Sequence, residues 1–363
     1  MINIVRMTSD LKKIGSNKIP KTLFWAIISY CNAVCTTCDF RLVPRSSWRC
    51  VRFEDARKAI DILYDSDFRM VSITGGEPLM NPDVFAICDY LKRKNMIITY
   101  IPTNGTLVNN NVARRLKNAD VRLVGISIDM DDGRQMGLTR KIPNLRQVII
   151  NARECLEQEG VKTYAGILIT RSTLDIAKVM GVARELGFSK VVFSYPQIIQ
   201  SSSFMASGEM EDLVLNVNEI ERVVEQIKMI KNDSELSIHN PNVSLDELVR
   251  FYRGESRKFK CYGGKRLFYL DWNLNLYRCF TLPKMYGNLL QLKKVNFDEE
   301  LCDLCSQQAF RDHDPFYHLA STLAESRKLF IRGHLVSATK LLVDNRTRGA
   351  IKAFSEFLRG DFL

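Results

Sequence analysis

The sequence predicts an α/β fold over its first two hundred residues. The expected core is a parallel sheet of right-handed βαβ units, with a cysteine-bearing region and helices after it. Three observations carry this. Short apolar runs alternate with helically spaced segments between residues 22 and 195. Strands joined through a helix run parallel, with right-handed crossovers. Every loop here that is rich in Gly, Cys, Asn or Asp follows a strand, at the end where parallel sheets bind ligands.

Residues 22–29 (Thr-Leu-Phe-Trp-Ala-Ile-Ile-Ser) form the first strand, and a cysteine-rich loop follows directly. Residues 54–65 carry Ala56, Ala59, Ile60 and Leu63 at helical spacing. A strand over 70–74 ends in Gly75-Gly76. Helix is expected over 83–94, strand over 96–101 before Asn104-Gly105, and helix over 109–118. Strand, helix, strand, helix and strand then follow over 121–128, 144–159, 161–169, 173–186 and 190–195. After residue 200 the pattern changes. Residues 201–203 open a loop, and 211–231 form one amphipathic helix with Leu213, Val217, Ile220, Val224 and Ile227 on one face. Residues 260–305 hold four cysteines and two strand-like pieces, 266–271 and 274–279. Residues 318–360 read as two or three short helices.

The chain has 363 residues, which suits one large core and an appendage. At 46% hydrophobic and 26% charged residues it is not a wholly disordered chain. No apolar run reaches membrane-spanning length. Residues 1–20 contain no apolar signal core, so a cytoplasmic location is expected. In a reducing compartment, ten cysteines point to metal or redox chemistry rather than disulfides. The net charge of +11 is uneven: residues 1–60 have 11 basic and 4 acidic side chains, residues 181–240 have 5 and 9. A basic N-terminal third is either a solvated face or an attraction for an anionic ligand, lipid headgroup or nucleic acid.

Cys31, Cys35 and Cys38 have the spacing C-x3-C-x2-C immediately after the first strand. One loop can wrap three thiolates around an iron–sulfur cube, leaving one iron open to a small molecule. The alternative is a zinc site with its fourth ligand elsewhere.

With Gly75-Gly76-Glu77-Pro78 ending the second strand, this triplet resembles the radical SAM superfamily, over residues 20–200. The resemblance implies a partial (β/α)6 TIM-like barrel, a [4Fe-4S] cluster on the three cysteines, and S-adenosylmethionine (SAM) bound to its open iron. Gly75, Gly76, Glu77 and Pro78 match the motif that contacts the methionyl amino group, where glycines allow close approach and Glu77 offers a carboxylate. The resemblance also implies cofactor-binding roles for Asn104 in Thr103-Asn104-Gly105-Thr106, for Ser127 and Asp129, for Arg140 near the SAM carboxylate, and for Thr170 near the adenosyl group. Thr37 departs from the aromatic residue that the family often has before its third cysteine; Phe40 follows instead.

Cys261, Cys279, Cys302 and Cys305 make two pairs, which suit a closed cube or a tetrahedral zinc. Beside a radical SAM core they resemble the shortened SPASM type, called Twitch, with one auxiliary [4Fe-4S] cluster. No cysteine follows Cys305, so a second auxiliary cluster is not expected. The family pattern has a glycine where this chain has Leu274. The expected layout is an N-terminal extension (1–20), the barrel (21–205), linking helices (206–259), the Twitch-like domain (260–310) and a C-terminal helical tail (311–363).

Cys50, Cys88 and Cys155 are expected as buried apolar residues. His239, His313, His318 and His334 are scattered and are expected as surface or capping groups. Tyr195 closes the sixth strand as either core or substrate-positioning residue. Lys265 and Arg266 are candidates for an anionic substrate, or a solvated turn.

The resemblance implies an enzyme that reductively cleaves SAM to a 5′-deoxyadenosyl radical, which abstracts hydrogen from substrate. An electron donor such as a flavodoxin or ferredoxin is implied. Expected substrates are an anionic small molecule, a sugar or a lipid, with peripheral membrane association as a corollary. A peptide-modifying enzyme is the alternative, although the 20 residues before the first strand hold no leader-binding domain. A different class, a non-catalytic zinc or Fe–S protein binding nucleic acid, would rest on Trp48 and Phe53 among Arg45, Arg49 and Arg52. Nucleic acid is not the expected partner.

Overall fold

The computed structural model describes residues 19–128, 140–195, 215–233, 236–292, 297, 302, 304–305 and 307–359. Asp129, Pro196, Gln197 and the 201–203 loop lie outside the described residues.

β1 (Lys21–Ala26), β2 (Phe68–Thr74) and β3 (Ile97–Ile98) run parallel in one sheet. β4 (Ile101–Thr103), β5 (Leu123–Ser127), β6 (Lys162–Leu168), β7 (Lys190–Ser194) and β8 (Ser237–Ile238) run parallel in a second. The two are one curved wall. Thr99 N–H donates to the Val71 carbonyl at 2.9 Å and Ile73 N–H to that of Tyr100 at 3.2 Å. The expected third strand is thus broken into β3 and β4 but keeps its place beside β2. β8 is two residues long, too short to show an alternating pattern, and sequence reasoning missed it.

The crossovers are α1 (Phe53–Asp65), α2 (Val84–Arg93), α3 (Asn110–Asn118), α4 (Leu145–Gln158) and α5 (Ile176–Glu185). Asn109 and Asp175 cap α3 and α5, accepting the N–H groups of Val112 and Lys178 at 3.0 Å each. α6 (Val217–Asp233) and α7 (Asn242–Tyr252) follow. The period of two in β1 sorts its side chains. Leu23 and Trp25 enter the large core under the helices, whereas Phe24 and Ala26 enter a second cluster with Tyr269, Phe280, Phe310 and Tyr317.

The cysteine-bearing C-terminal region continues the sheet of β1. β9 (Leu267–Leu270) pairs parallel with β1, and β10 (Asn275–Tyr277) and β11 (Met285–Asn288) extend it antiparallel, giving the order β11-β10-β9-β1-β2-β3. Leu274, in the turn between β9 and β10, adopts φ +62°, the left-handed conformation a glycine would take without cost. Asp271 holds that turn: its Oδ1 accepts the N–H groups of Asn273 and Asn275 at 2.9 and 2.8 Å.

The tail is α8 (Gln308–Ile331), α9 (Leu335–Val343) and α10 (Asn345–Arg359). The sequence predicts short helices from residue 318, but α8 starts ten residues earlier and is 24 residues long. Pro315 hides it, since an internal proline normally ends a helix by removing a donor. Here Ser244 Oγ donates to the Arg311 carbonyl at 3.1 Å, the acceptor that Pro315 cannot serve. The expected domain boundary after residue 310 falls inside this helix. His313, expected at the surface or in a cap, is instead inside, with its ring edge-on to Phe24 at 5.7 Å. His239 packs on Phe357 at 5.2 Å and His318 on Phe259 at 5.5 Å, while His334 is exposed.

Candidate active site

The chain leaves β1 through Ile27 and Ile28 and enters the loop of Cys31, Cys35 and Cys38. The loop ending β2 lies directly against this stem. Gly76 N–H donates to the Ile28 carbonyl and Glu77 N–H to that of Tyr30, both at 3.0 Å. A Cβ on Gly76 would stand 1.9 Å from the Tyr30 carbonyl oxygen, and one on Gly75 (φ +132°) 2.5 Å from that of Ile28. The glycines assigned above to ligand approach are therefore already required by contact between two backbones.

Burial first, then the charges of Cys35 and Cys31, push the Cys38 thiol up to about 11. Burial also raises Cys31, with Glu77 and Cys35 adding to it. Ala33 N–H donates to Cys31 Sγ at 3.3 Å, and Arg140 Nη1 lies 3.9 Å from Cys35 Sγ. Three soft donors on one loop with a cation beside them form a suitable set for iron.

Glu77 is 1% exposed. Its Oε1 accepts Thr103 Oγ1 at 2.9 Å and Leu79 N–H at 3.2 Å, and its Oε2 accepts Asn104 N–H at 2.8 Å. Burial pushes its carboxyl up to about 7 against those bonds. Asn104 Nδ2 donates to Asn32 Oδ1 at 2.7 Å and reaches Cys31 Sγ at 3.6 Å; Asn32 Nδ2 donates to Thr106 Oγ1 at 2.8 Å. The ends of β1, β2 and β4 are thereby tied into one unit. Pro78 is buried at the start of a short 3-10 turn. Ser127 ends β5 half-buried, and Thr170 is buried in the turn after β6, where its N–H donates to Thr173 Oγ1 at 2.7 Å.

Around this loop the aromatic and basic residues are engaged within the chain. Tyr30 stacks on Trp48 at 4.5 Å, Arg45 lies 5.6 Å over the Trp48 ring, and Trp48 Nε1 donates to the Val43 carbonyl at 3.1 Å. Arg49 donates to the Ser46 and Trp48 carbonyls, Arg52 meets Asp83, and Phe53 packs on Tyr90. Phe40 sets its edge against Trp272 at 5.8 Å, joining the loop to the β9–β10 turn.

Cys261, Cys279, Cys302 and Cys305 all line one small cavity of about 10 Å³, room for roughly one water molecule. Among the described residues, no three Cys, His, Asp or Glu side chains converge as ligands of a single ion. Cys261 precedes β9 and Cys279 follows β10, so both flank the hairpin near the start of β1, opposite the Cys31 loop. Burial pushes Cys279 up to about 11. Arg257, Arg278 and Arg311 also line the cavity. Arg257 Nη2 donates to Asp314 Oδ2 at 2.5 Å, and Asp314 Oδ1 accepts Tyr262 N–H at 2.9 Å. Arg311 Nη2 donates to the Cys305 carbonyl at 2.6 Å and Nη1 to that of Glu247 at 2.9 Å.

The segment from residue 25 to residue 194 matches the model of the radical SAM superfamily. Over that segment, a little under half of the chain, the protein is similar to the radical SAM superfamily. Its relatives include the AdoMet-dependent heme synthase of Methanosarcina barkeri, 25% identical over 178 residues, which are 48% of this chain and 50% of that protein. The GTP 3′,8-cyclase of Aliarcobacter butzleri is 26% identical over 214 residues, 55% of this chain and 61% of that protein. The chain thus spans about half the length of the curated relatives it matches. Among solved structures, anSMEcpe with bound AdoMet and a peptide superposes with a TM-score of 0.57 at 19% identity, over 75% of this chain and 78% of that one, a likeness of fold. Radical SAM proteins use a [4Fe-4S] cluster and SAM, and the three-thiol loop with Arg140 beside it suits that cluster.

The sequence candidates divide accordingly. Gly75, Gly76, Glu77, Pro78 and Asn104 gather with Arg140 around the Cys31 loop. Lys265 and Arg266 do not: Thr22 N–H donates to the Arg266 carbonyl at 2.8 Å, at the starting end of β1, and Arg266 Nη1 donates to the Ile19 carbonyl at 2.9 Å. Tyr195 lies in the core, 3% exposed. Of the remaining cysteines, Cys88 is buried, whereas Cys50 and Cys155 are only half-buried. Sequence reasoning missed Asn32, which binds Asn104 across the loops, and the arginines of the second cavity. Asn32 adjoins Cys31, but nothing local marks its partner 72 residues away.

Proposed function

We propose that this chain is a radical SAM enzyme with one auxiliary [4Fe-4S] cluster, acting on an anionic small molecule, sugar or lipid. The observation that carries the reading is the placement of two thiol sets at the two ends of β1. Three cysteines stand beside the Gly75–Gly76 loop, and four stand around a cavity. Four thiols at one cavity suit a closed cube or a tetrahedral zinc ion, and the radical SAM-like core beside them favours the cube. Loaded with its cluster and SAM, the first site supplies a 5′-deoxyadenosyl radical, which takes hydrogen from substrate. The chain's own residues orient and shield. Glu77 and Asn104 fix the three loops that surround Cys31, and Arg140 places a positive charge where a carboxylate of SAM can meet it. Reduction would come from an electron donor such as a flavodoxin or ferredoxin. An anionic substrate is supported by the basic first 60 residues and by relatives named for a heme and for GTP.

Anaerobic reconstitution tests this. The expected result is about eight irons per chain from two cubes, with 5′-deoxyadenosine released from SAM after dithionite. Two zinc ions per chain and intact SAM would overturn it. The peptide-modifying reading is supported by the fold shared with anSMEcpe, whose structure holds a peptide.

A further inference from the structure

Burial falls steadily along the C-terminal helices. The first ten residues of α8 are mostly buried, Leu329 is half-buried, and all eight residues from 330 to 337 are exposed. They form the turn between α8 and α9, with Gly333 at φ +81°. The exposed side chains are not polar: Phe330 is 65% exposed, Ile331 73%, Leu335 54% and Val336 70%. On α9 the usual amphipathicity is inverted, since Ala338 is its buried residue while Leu335, Val336, Leu342 and Val343 face outward. Single exposed apolar residues are ordinary, but a contiguous group at a projecting turn marks an interaction surface.

The charge around this turn selects the occupant. Between Ser326 and Val343 the sequence holds Arg327, Lys328, Arg332 and Lys340; Glu325, which pairs with Lys328, and Asp344 flank this stretch, leaving the turn net positive. A second copy docking turn to turn would oppose like charges. A surface that is apolar at its tip and basic at its flanks matches the interface of an anionic bilayer, where apolar side chains enter the headgroup boundary and Arg and Lys meet lipid phosphates. No helix among the described residues is long and apolar enough to cross a membrane, so the contact would be peripheral.

We propose that the α8–α9 turn is a membrane-docking element: Phe330, Ile331, Leu335 and Val336 insert at the surface of an anionic bilayer, and Arg327, Arg332 and Lys340 hold it there. The reading is independent of substrate and of either cluster.

The test is co-sedimentation of the full-length chain with vesicles, of phosphatidylcholine alone or mixed with phosphatidylglycerol. Binding is expected only to the mixed vesicles, weakening as salt is raised. The double variant Phe330→Asp/Ile331→Asp should bind at least about tenfold more weakly, as should Arg327→Glu/Arg332→Glu. These side chains are exposed, so all variants should keep the parent's circular dichroism and melting temperature. Met285→Asp, an exposed apolar site elsewhere, should bind like the parent. Failure to bind the mixed vesicles, or equal binding by Phe330→Asp/Ile331→Asp, would overturn the proposal. So would a concentration-dependent dimer abolished by that variant without vesicle binding, which would assign the face to a second copy.

Discussion

The buried carboxylate of Glu77 accepts the backbone N–H of Asn104 at 2.8 Å, so one acid joins the loop ending β2 to the loop ending β4. Through Asn104 and Asn32 the same linkage reaches the cysteine loop after β1. The architecture around the three thiols is thus fixed by hydrogen bonds within the protein.

Removing that acid should loosen the site. Glu77→Ala leaves the donors of Leu79, Thr103 and Asn104 without their acceptor, and each buried unmet donor costs about 1–3 kcal/mol. A loss of about 3 kcal/mol or more is expected in denaturant unfolding, with less iron retained after reconstitution. Glu77→Gln keeps one acceptor oxygen and should fall between Ala and the parent.

Gly76→Ala should be more severe than its one-carbon change implies, because the added Cβ would lie 1.9 Å from the Tyr30 carbonyl. The two loops must then part. Iron analysis of the reconstituted variant should show about four irons per chain, the second site's share. Gly181→Ala, where an added Cβ meets nothing within 4 Å, should retain the parent's content.

Arg257 and Asp314 are both almost fully buried beside the four-thiol cavity. Burial pushes Asp314 up to about 6 despite Arg257. Arg257→Met removes the partner of a buried acid, which costs about 3–5 kcal/mol. Melting should show that loss in the chain before any iron is added. Iron content should then fall at the second site, while the Cys31 loop keeps its share.

His239 sets a pH dependence. Burial is the largest cause, with nearby His313 and Lys231 adding to it, and the imidazole is lowered to about 3. The unfolded chain takes up this proton near pH 6.5, whereas the folded one stays neutral down to about 3. The contribution is therefore favourable above pH 6.5 and is lost progressively as pH falls toward 3. Denaturation curves of His239→Gln should lose stability less steeply over that window than the parent. Parallel curves would refute the assignment.

The βαβ order and the cysteine loops were legible because they rest on local signals: apolar periodicity, C-x3-C-x2-C, and a Gly-Gly pair after a strand. What escaped was settled by distant partners. α8 runs through Pro315 because Ser244, from α7, serves the stranded carbonyl of Arg311. The β9–β10 turn forms without its usual glycine because Asp271 grips the backbone on both sides of Leu274, whose side chain is buried in the core. Lys265 and Arg266 read as anion ligands by charge and proximity to Cys261. Only the register of β9 on β1 shows that they stand at the strand's starting end.

That register also decides how the two thiol sets are held apart. β1 carries the Cys31 loop at its end and, through β9, the hairpin whose cysteines flank its start. Six residues at about 3.3 Å each make a rod of roughly 20 Å. The Cys31 loop and the hairpin flanked by Cys261 and Cys279 thus stand beyond opposite ends of one strand, joined by the ladder of β1, β9 and β10 and not by a hinge.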